Sequence, residues 1–258
     1  MLKKITLYYK IKLDVFQRIK SLGGNYMNSI DKTVDEKLLV VDKIDKCVEK
    51  SKLKAYDFIK RTIDIIVGII GCILLIPLTA VVKIINTVNK EEGTIFYVQK
   101  RIGKNGKEFK LYKYRTMVKQ ADRKLRKLLK ENEELRIEYE TNKKMKNDPR
   151  ITKAGKILRK TSLDEFPQFI NILKGEMSLV GNRPYLIREK KDMGKYYKYI
   201  VKTKPGLTGL WQTSGRSNIS FKERLEIEKE YSERYSMMLD LKIFFKSFSV
   251  VIFKKGAH

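Results

Sequence analysis

Residues 148–184, DPRITKAGKILRKTSLDEFPQFINILKGEMSLVGNRP, carry the densest chemistry in the chain. A carboxylate pair, Asp164 and Glu165, opens a run in which Phe166, Phe169, Ile170 and Leu173 recur at i, i+3, i+4 and i+7. That spacing predicts a short helix with one apolar face. Gly175 after Lys174 suits its end. Pro167 falls in the first turn, where a missing N–H is tolerated. Five cations precede the pair: Arg150, Lys153, Lys156, Arg159 and Lys160. A Gly181-Asn182-Arg183-Pro184 turn closes the stretch. Acids among fixed cations suit phosphate chemistry, in which the cations hold the phosphate and a carboxylate attacks or takes a proton.

Two readings of the acid pair stand side by side. Ser162-Leu163-Asp164-Glu165 fits an S-x-x-E capping box, with Ser162 as N-cap and Glu165 reaching back to it. The same geometry also serves catalysis. A carboxylate in a first helical turn is kept ionised by the positive end of the helix dipole, and an ionised, positioned Asp is a nucleophile toward phosphorus. Adjacent helical positions point about 100° apart, so Asp164 and Glu165 can serve different partners, such as a phosphorus and a metal.

Composition narrows the class. The 258 residues hold 57 Lys and Arg against 30 acids, a net charge of +27. An anionic partner follows: nucleic acid, anionic lipid or a phosphorylated substrate. Cys47 and Cys72 give no disulfide framework. The single histidine is His258, which removes a His base or His metal cluster and leaves acid–base and metal roles to carboxylates. No recognised nucleic-acid motif occurs, and the basic residues are spread through apolar segments, so nucleic acid is not the expected partner. A non-catalytic basic membrane scaffold is the alternative of another class.

Residues 1–55 form a basic N-terminal extension without a signal-peptide pattern. Leu2, Ile5, Tyr8, Tyr9, Ile11, Val15 and Ile19 suggest short amphipathic pieces, Gly23-Gly24-Asn25 a break, and Leu38–Ile44 a further helix or strand. The extension either lies on an anionic membrane surface or is solvated. Residues 56–90 hold the membrane segment. Ile65–Val82 carries no charge, at the lower length limit for a spanning helix. Pro77 interrupts it. Basic flanks lie on both sides: Lys52, Lys54, Lys60 and Arg61 before, Lys83 and Lys90 after. Because basic flanks prefer the cytoplasmic side, cations at both ends favour a broken helix that returns to the face it entered. Thr79 is one partner for backbone groups freed near Pro77.

Residues 91–258 form the rest. Gly93–Met117 reads as a β-hairpin, with Phe109, Leu111 and Tyr114 set among Lys110 and Lys113, and with a turn at Gly103-Lys104-Asn105-Gly106. Lys100 and Arg101 there read as solvated charge. Gln120–Asn147 reads as one charged helix with Leu125, Leu128, Leu129 and Leu135 as a thin stripe. Tyr185–Tyr199 and Phe221–Ser236 read as helices, and Leu239–Lys255 as an interfacial helix or one packed on the domain.

Five stretches now stand in order: KRTIDIIVGIIGCILLIPLTAVVKI (60–84), FYVQKRIGKNGKEFKLYKYRTM (96–117), NDPRITKAGKILRKTSLDE (147–165), SLDEFPQFINILKGEMSLVGNRP (162–184) and KPGLTGLWQTSGR (204–216). Together they resemble the bacterial sugar transferase family, the monotopic phosphoglycosyl transferases, over roughly residues 56–254. The resemblance implies an α+β architecture: a membrane-embedded re-entrant helix-break-helix turning at Ile76-Pro77, and a small, mostly helical catalytic domain with a short β-hairpin and interfacial amphipathic helices. It places that domain at the cytoplasmic face of the bacterial inner membrane and is compatible with a homodimer. It implies transfer of a sugar-1-phosphate from a UDP-sugar to undecaprenyl phosphate, with release of UMP, as the first membrane step of exopolysaccharide, capsule or other surface glycan synthesis. By resemblance Asp164 is the nucleophile that carries the phosphosugar. Asp164 and Glu165 would be the ligands or near neighbours of Mg²⁺, and Arg159 would bind the polyprenyl phosphate. Lys113, Arg115, Arg183, Pro184 and Arg216 would bind the nucleotide-sugar. The donors most resembled are UDP-galactose and UDP-glucose. One departure stands out: Asn182 sits where the family usually has Pro, which puts nucleotide affinity in question while Arg183 and Pro184 keep the turn.

Overall fold

The computed structural model describes residues 27–252, apart from 92, 143–144 and 215–218, together with position 17. The amphipathic pieces expected over residues 2–19, the Gly23-Gly24-Asn25 break, Arg216, Lys254 and Lys255 lie outside the described residues. The chain divides into two compact units, Met1–Phe58 and Ile59–His258. In the first, the described residues are helical, including Leu38–Ile44, and Leu39, Val40 and Leu53 are exposed.

Helix α1 runs Met27–Val88. Its stretch Leu53–Val88 is long and apolar enough to cross a membrane. Pro77 sits inside the helix, which continues on its far side to Val88. Near that point Thr79 Oγ1 donates to Leu75 O at 2.7 Å and lies 2.7 Å from Tyr114 Oη. Gly68 and Gly71 face Leu173 and Phe169, and Leu75 and Val82 are buried with Tyr114 and Leu158. The opposite face is bare. Between Ile63 and Ile84 ten aliphatic side chains, among them Ile66, Ile73, Ile76 and Ile84, are exposed. A large aliphatic group left in water forgoes about 1.5–3 kcal/mol of burial. Ten half-exposed ones forgo on the order of 10 kcal/mol, as large as a whole domain's stability of about 5–15 kcal/mol. Such a face calls for an apolar surrounding.

The expected hairpin is present. Strands β1 (Phe96–Ile102) and β2 (Glu108–Tyr114) pair antiparallel in a register running from Phe96 opposite Tyr114 to Ile102 opposite Glu108. A 3₁₀ turn, Lys104–Gly106, joins them, with Asn105 and Gly106 at positive φ, a conformation that Asn and Gly adopt most readily. The charged segment after it is two helices, α2 (Ala121–Glu131) and α3 (Glu133–Asn142), not one. Asn132 between them is extended, and its side chain accepts from Leu135 N.

Helix α4, Lys153–Lys160, is capped by Thr152, whose Oγ1 accepts from Gly155 N at 3.0 Å. It docks on the end of the hairpin, and a Cβ on Gly155 would fall 2.1 Å from Thr116 O. A 3₁₀ turn, Leu163–Glu165, then leads into α5, Gln168–Lys174, which ends at Gly175 with φ 76° as expected. The capping box does not form. Ser162 is in the left-handed region with no side-chain cap bond, Pro167 takes the N-cap position of α5, and Glu165 is drawn elsewhere. Helix α5 lies against β2 through Asn171, which is fully buried. Its Oδ1 accepts from Tyr112 N at 3.1 Å, and its Nδ2 donates to Lys110 O and Glu176 Oε2 at 2.7 Å each. One side chain thus takes the place of a neighbouring strand.

Strands β3 (Ser178–Val180) and β4 (Gly206–Thr208) pair in parallel. Between them the segment expected as one helix is broken into short turns, with α6 at Lys190–Met193 and α7 at Tyr197–Ile200, because Gly194 takes positive φ. Helix α8 (Leu210–Thr213), helix α9 (Phe221–Arg234) and helix α10 (Met237–Ile252) complete the unit. One core joins Phe109, Leu111, Ile172, Met177, Leu179, Val180, Tyr231 and Ile243. A second joins Ile102, Tyr185, Met193, Ile200, Phe221 and Leu225.

The Gly155 contact sets the first prediction. Because the added methyl meets backbone rather than a yielding side chain, Gly155→Ala is expected to cost about 3 kcal/mol, whereas the exposed Lys156→Ala stays within about 0.5 kcal/mol. Denaturant midpoints of the detergent-solubilised protein check this; equal midpoints would show that α4 does not need that close approach.

Candidate active site

The acid pair sits on the short turn between α4 and α5. Leu163 and Phe166, on either side of it, pack into the cluster formed with Leu75 and Val82 of the apolar helix. The pair therefore lies at the seam between the polar domain and the apolar helix. Lys113, arriving on β2, donates to Glu165 Oε1 at 2.7 Å. The Glu165 side chain stays 35% exposed, so a ligand can still reach it.

The two carboxyls are pushed apart. Burial lifts Asp164 above its ordinary value, and the neighbouring charge of Glu165 adds to this, while Lys113 and Arg159 pull the other way without prevailing. Burial acts on Glu165 too, but the charge and hydrogen bond of Lys113, then Arg183 and Arg101, outweigh it and hold this carboxyl below its ordinary value. The helix dipole expected to keep Asp164 acidic is overridden by burial in a three-residue turn. The result is a more basic Asp164 beside a Glu165 held below its ordinary value. Environments that split two neighbouring carboxyls in this way mark divided roles.

The cations contribute unequally. Of the five before the pair, Lys153, Lys156, Arg159 and Lys160 are exposed. Arg150 is locked to Asp148 by bonds of 2.8 and 2.6 Å from Nε and Nη2. Arg159 alone turns back, its Nε donating to Thr116 Oγ1 at 2.9 Å, close enough that Asp164 feels its charge. Arg183 is near enough to act on Glu165. Arg115 is not brought to the pair: its Nη2 donates to Thr94 Oγ1 at 2.7 Å. The carbonyl of Pro184 accepts from Arg101 Nη1 at 2.9 Å. Arg216 lies outside the described residues.

Asn182, the departure from the family pattern, is buried. Its Nδ2 donates to Ser232 Oγ at 2.6 Å and Ile200 O at 3.2 Å, and its carbonyl accepts from Gly206 N at 2.8 Å. The turn that presents Arg183 is tied to α7, β4 and α9 through this residue.

Beyond Arg183 lies a group that sequence reasoning passed over. Arg101 and Arg224 are buried, at 8% and 4% exposure. The guanidiniums of Arg224 and Arg183 lie 4.7 and 5.8 Å from the ring centre of Trp211. Nε of all three arginines and Nε1 of Trp211 are buried without an acceptor. None of the three arginines makes an ion pair among the described residues. Burial, then the charge of Arg183, lowers Arg101 to about 10. An unpartnered buried donor costs about 1–3 kcal/mol, so four together approach a domain's whole stability of about 5–15 kcal/mol. Glu228 lies beside them at 1% exposure, its Oε1 accepting from Arg183 N at 2.9 Å, while the Tyr185 hydroxyl faces its carboxyl outside strict hydrogen-bond geometry. The signal was present in the sequence: on α9, Phe221, Arg224, Leu225 and Glu228 fall at i, i+3, i+4 and i+7, so two charges occupy the buried stripe.

A family model described as bacterial sugar transferase matches residues 55–254. The chain belongs to the bacterial sugar transferase family. Among relatives, an uncharacterized sugar transferase of Haemophilus influenzae is 44% identical over 78% of this chain and 42% of its own length. The exopolysaccharide production protein ExoY of Sinorhizobium fredii is 40% identical over 77% of this chain and 88% of its own. The undecaprenyl-phosphate galactose phosphotransferase of Salmonella typhimurium is 40% identical over 78% of this chain and 42% of its own. The chain thus spans less than half the length of the first and third of these sugar transferases and most of the second.

In this sugar transferase, Glu228 gives a pH test. Burial, opposed by the Arg183 N–H, by Tyr185 and by the Arg183 and Arg224 charges, pushes it up to about 7 from an ordinary 4.5. The folded state favours the protonated form. Its contribution is fully present below about pH 4.5 and is lost as pH rises through about 7. Wild type is therefore expected to lose on the order of 3 kcal/mol relative to Glu228→Gln between about pH 5 and pH 8. Parallel melting curves across that range check it; identical pH trends would place the Glu228 proton elsewhere.

Proposed function

We propose that this protein transfers a sugar-1-phosphate from a UDP-sugar to undecaprenyl phosphate and releases UMP, through a covalent intermediate on Asp164. The observation that carries the reading is the split acid pair: a basic Asp164 beside a Glu165 tied to Lys113, set against the apolar helix and ringed by Arg159 and Arg183. Names among the relatives support the substrate classes. They include an undecaprenyl-phosphate galactose phosphotransferase and a UDP-glucose:undecaprenyl-phosphate glucose-1-phosphate transferase.

Asp164 Oδ attacks the phosphorus nearer the sugar. The bond from that phosphorus to the bridging oxygen breaks, and UMP leaves with the electron pair. A phosphate oxygen of undecaprenyl phosphate then attacks the same phosphorus, and Asp164 departs as a carboxylate. Dividing the transfer in this way is covalent catalysis. Lys113 holds Glu165 in place, and Arg159, on the side of the apolar helix, meets the acceptor phosphate with a planar fork. Arg183 meets the nucleotide end. Two adjacent carboxylates, one still partly exposed, suit Mg²⁺, which takes only one or two protein carboxylates and completes its shell from phosphates and water. Asp164 and Glu165 would hold it, and when bound it would supply charge neutralisation on the diphosphate.

The apolar helix is read as entering and leaving the membrane by one face, at the cytoplasmic side of the bacterial inner membrane. Both of its flanks are held by the same polar domain: Asp64 accepts from Leu179 N, and Glu91 accepts from Ala154 N. A straight crossing would carry one of these attachments to the far side.

UMP release by the full chain in detergent, with Mg²⁺, undecaprenyl phosphate and a donor panel headed by UDP-galactose and UDP-glucose, is the test. Asp164→Asn is expected to lose about a thousandfold or more. Undiminished release by that variant would remove Asp164 as the nucleophile.

A further inference from the structure

Nε of Arg101, Arg183 and Arg224 and Nε1 of Trp211 are four buried donors without an acceptor, and none of the three guanidiniums forms an ion pair among the described residues. They come from four separate parts of the fold: Arg101 from β1, Arg183 from the turn after β3, Trp211 from α8 and Arg224 from α9. Arg183 depresses the basicity of both Arg101 and Arg224, so the three charges share one neighbourhood. Glu228 lies close enough for its charge to act on Arg224, but its Oε1 accepts from the Arg183 backbone N–H and it forms no ion pair with the guanidiniums. Glu189, also buried, is engaged by Leu186 N through Oε2 at 2.7 Å. With Trp211 flanked by two guanidiniums, the group is shaped for an anion presenting several oxygens rather than for a stacked base.

We propose that Arg101, Arg183, Arg224 and the Trp211 indole N–H form a phosphate subsite, and that it holds the phosphate leaving with the nucleoside. This rests on the sugar-phosphate transfer proposed above. Two features point to the nucleotide rather than the lipid phosphate. Arg224 extends from the helix face that builds the core of Tyr185, Phe221 and Leu225, which contains no residue of the apolar helix. Arg159, by contrast, follows Leu158, which packs on Leu75 and Val82 of that helix. Arg224 is thus assigned as a substrate-binding residue carried by a helix outside the acid-pair stretch, and Trp211 as both its support and a donor.

Trp211 is the only tryptophan in the chain, so tryptophan emission, excited outside the tyrosine band, reports on this site alone. The full chain in detergent is titrated with UMP, uridine, inorganic pyrophosphate and farnesyl phosphate, without donor sugar. UMP and pyrophosphate are expected to shift Trp211 emission saturably, and uridine to leave it unchanged. Arg224→Gln is expected to weaken UMP by about 10- to 100-fold, the range spanned by a hydrogen bond to a charged group. Arg224→Lys, which keeps the charge but loses the fork, should fall between. Ligand-free Arg224→Gln is expected to melt no lower than wild type, because it removes an uncompensated buried charge, while the rise in Tm that UMP gives wild type is lost. A lower ligand-free Tm with unchanged UMP affinity in both variants would overturn the assignment and leave Arg224 as packing. Loss of farnesyl phosphate binding with UMP binding intact would overturn the nucleotide assignment in favour of the acceptor. No response to any anion would overturn the subsite. These outcomes are independent of Asp164: UMP release without anion binding at Trp211 would sink the subsite and spare the reaction, and anion binding without UMP release would do the reverse.

Discussion

Lys60, Arg61 and Asp64, three charged side chains at the foot of an apolar helix, hold that helix to a polar domain, and the rest of the structure depends on how they are satisfied. Asp64 Oδ1 accepts from Leu179 N at 2.9 Å and Ser178 Oγ at 3.0 Å, which fixes the start of β3. Arg61 donates to Ile172 O and Leu173 O at 2.7 Å each, adding to the bond that Ile172 O already takes from Gly175 N at the end of α5. Lys60 donates to Val180 O at 2.9 Å and pairs with Asp240, which also accepts from Tyr231 Oη at 2.8 Å. Breaking one partner of such a pair costs about 3–5 kcal/mol, because the other charge is left stranded. The acid turn lies just before α5 and the Arg183 turn just after β3, so both halves of the site take their positions from this anchor.

The proposed chemistry rests on an asymmetry between neighbours. Asp164 and Glu165 are adjacent in sequence and differ in what reaches them: β2 delivers Lys113 to one and leaves the other to burial. No change in residue type is needed to divide the roles. A short 3₁₀ turn does it, pointing the two carboxyls to different neighbours, where an α-helix opened by a capping box would have bound Glu165 to its own backbone.

The sequence was informative where local rules decide the outcome. The Gly-Lys-Asn-Gly turn, the alternation around Phe109 and Leu111, and Gly175 at the end of α5 follow from backbone preferences that act over a few residues. It was misleading where a distant partner wins. The S-x-x-E pattern at Ser162 matched a cap, yet Lys113, 52 residues away, offered Glu165 a charged bond that a backbone N–H could not rival. The charged run after Gln120 looked like one helix because nothing local announced that Asn132 would turn its side chain to cap the second piece. Arg101 looked like solvated charge, and Arg224 drew no reading of its own, because composition does not say which face of a strand or helix is covered. Only the i, i+3, i+4, i+7 stripe on α9 marked Arg224 and Glu228 as inward, and a stripe of mixed chemistry is easily read as noise. Asn171, which stands in for a strand against β2, had no sequence signature at all.

The Lys60–Asp240 pair joins the first helix of the second unit to its last. The core between them is closed like a clasp, with Val67 of α1 and Ile243 of α10 contributing to the same cluster. The apolar helix is therefore part of the globule's wall and not a tether attached to a finished domain. A fragment begun at residue 91 would lack that wall, would take Lys60 from Asp240 and Asp64 from Leu179 N, and would remove Arg61 from the end of α5. Cutting the chain free of its apolar helix would therefore open its interior, because the helix that bares one face to its surroundings closes the core with the other.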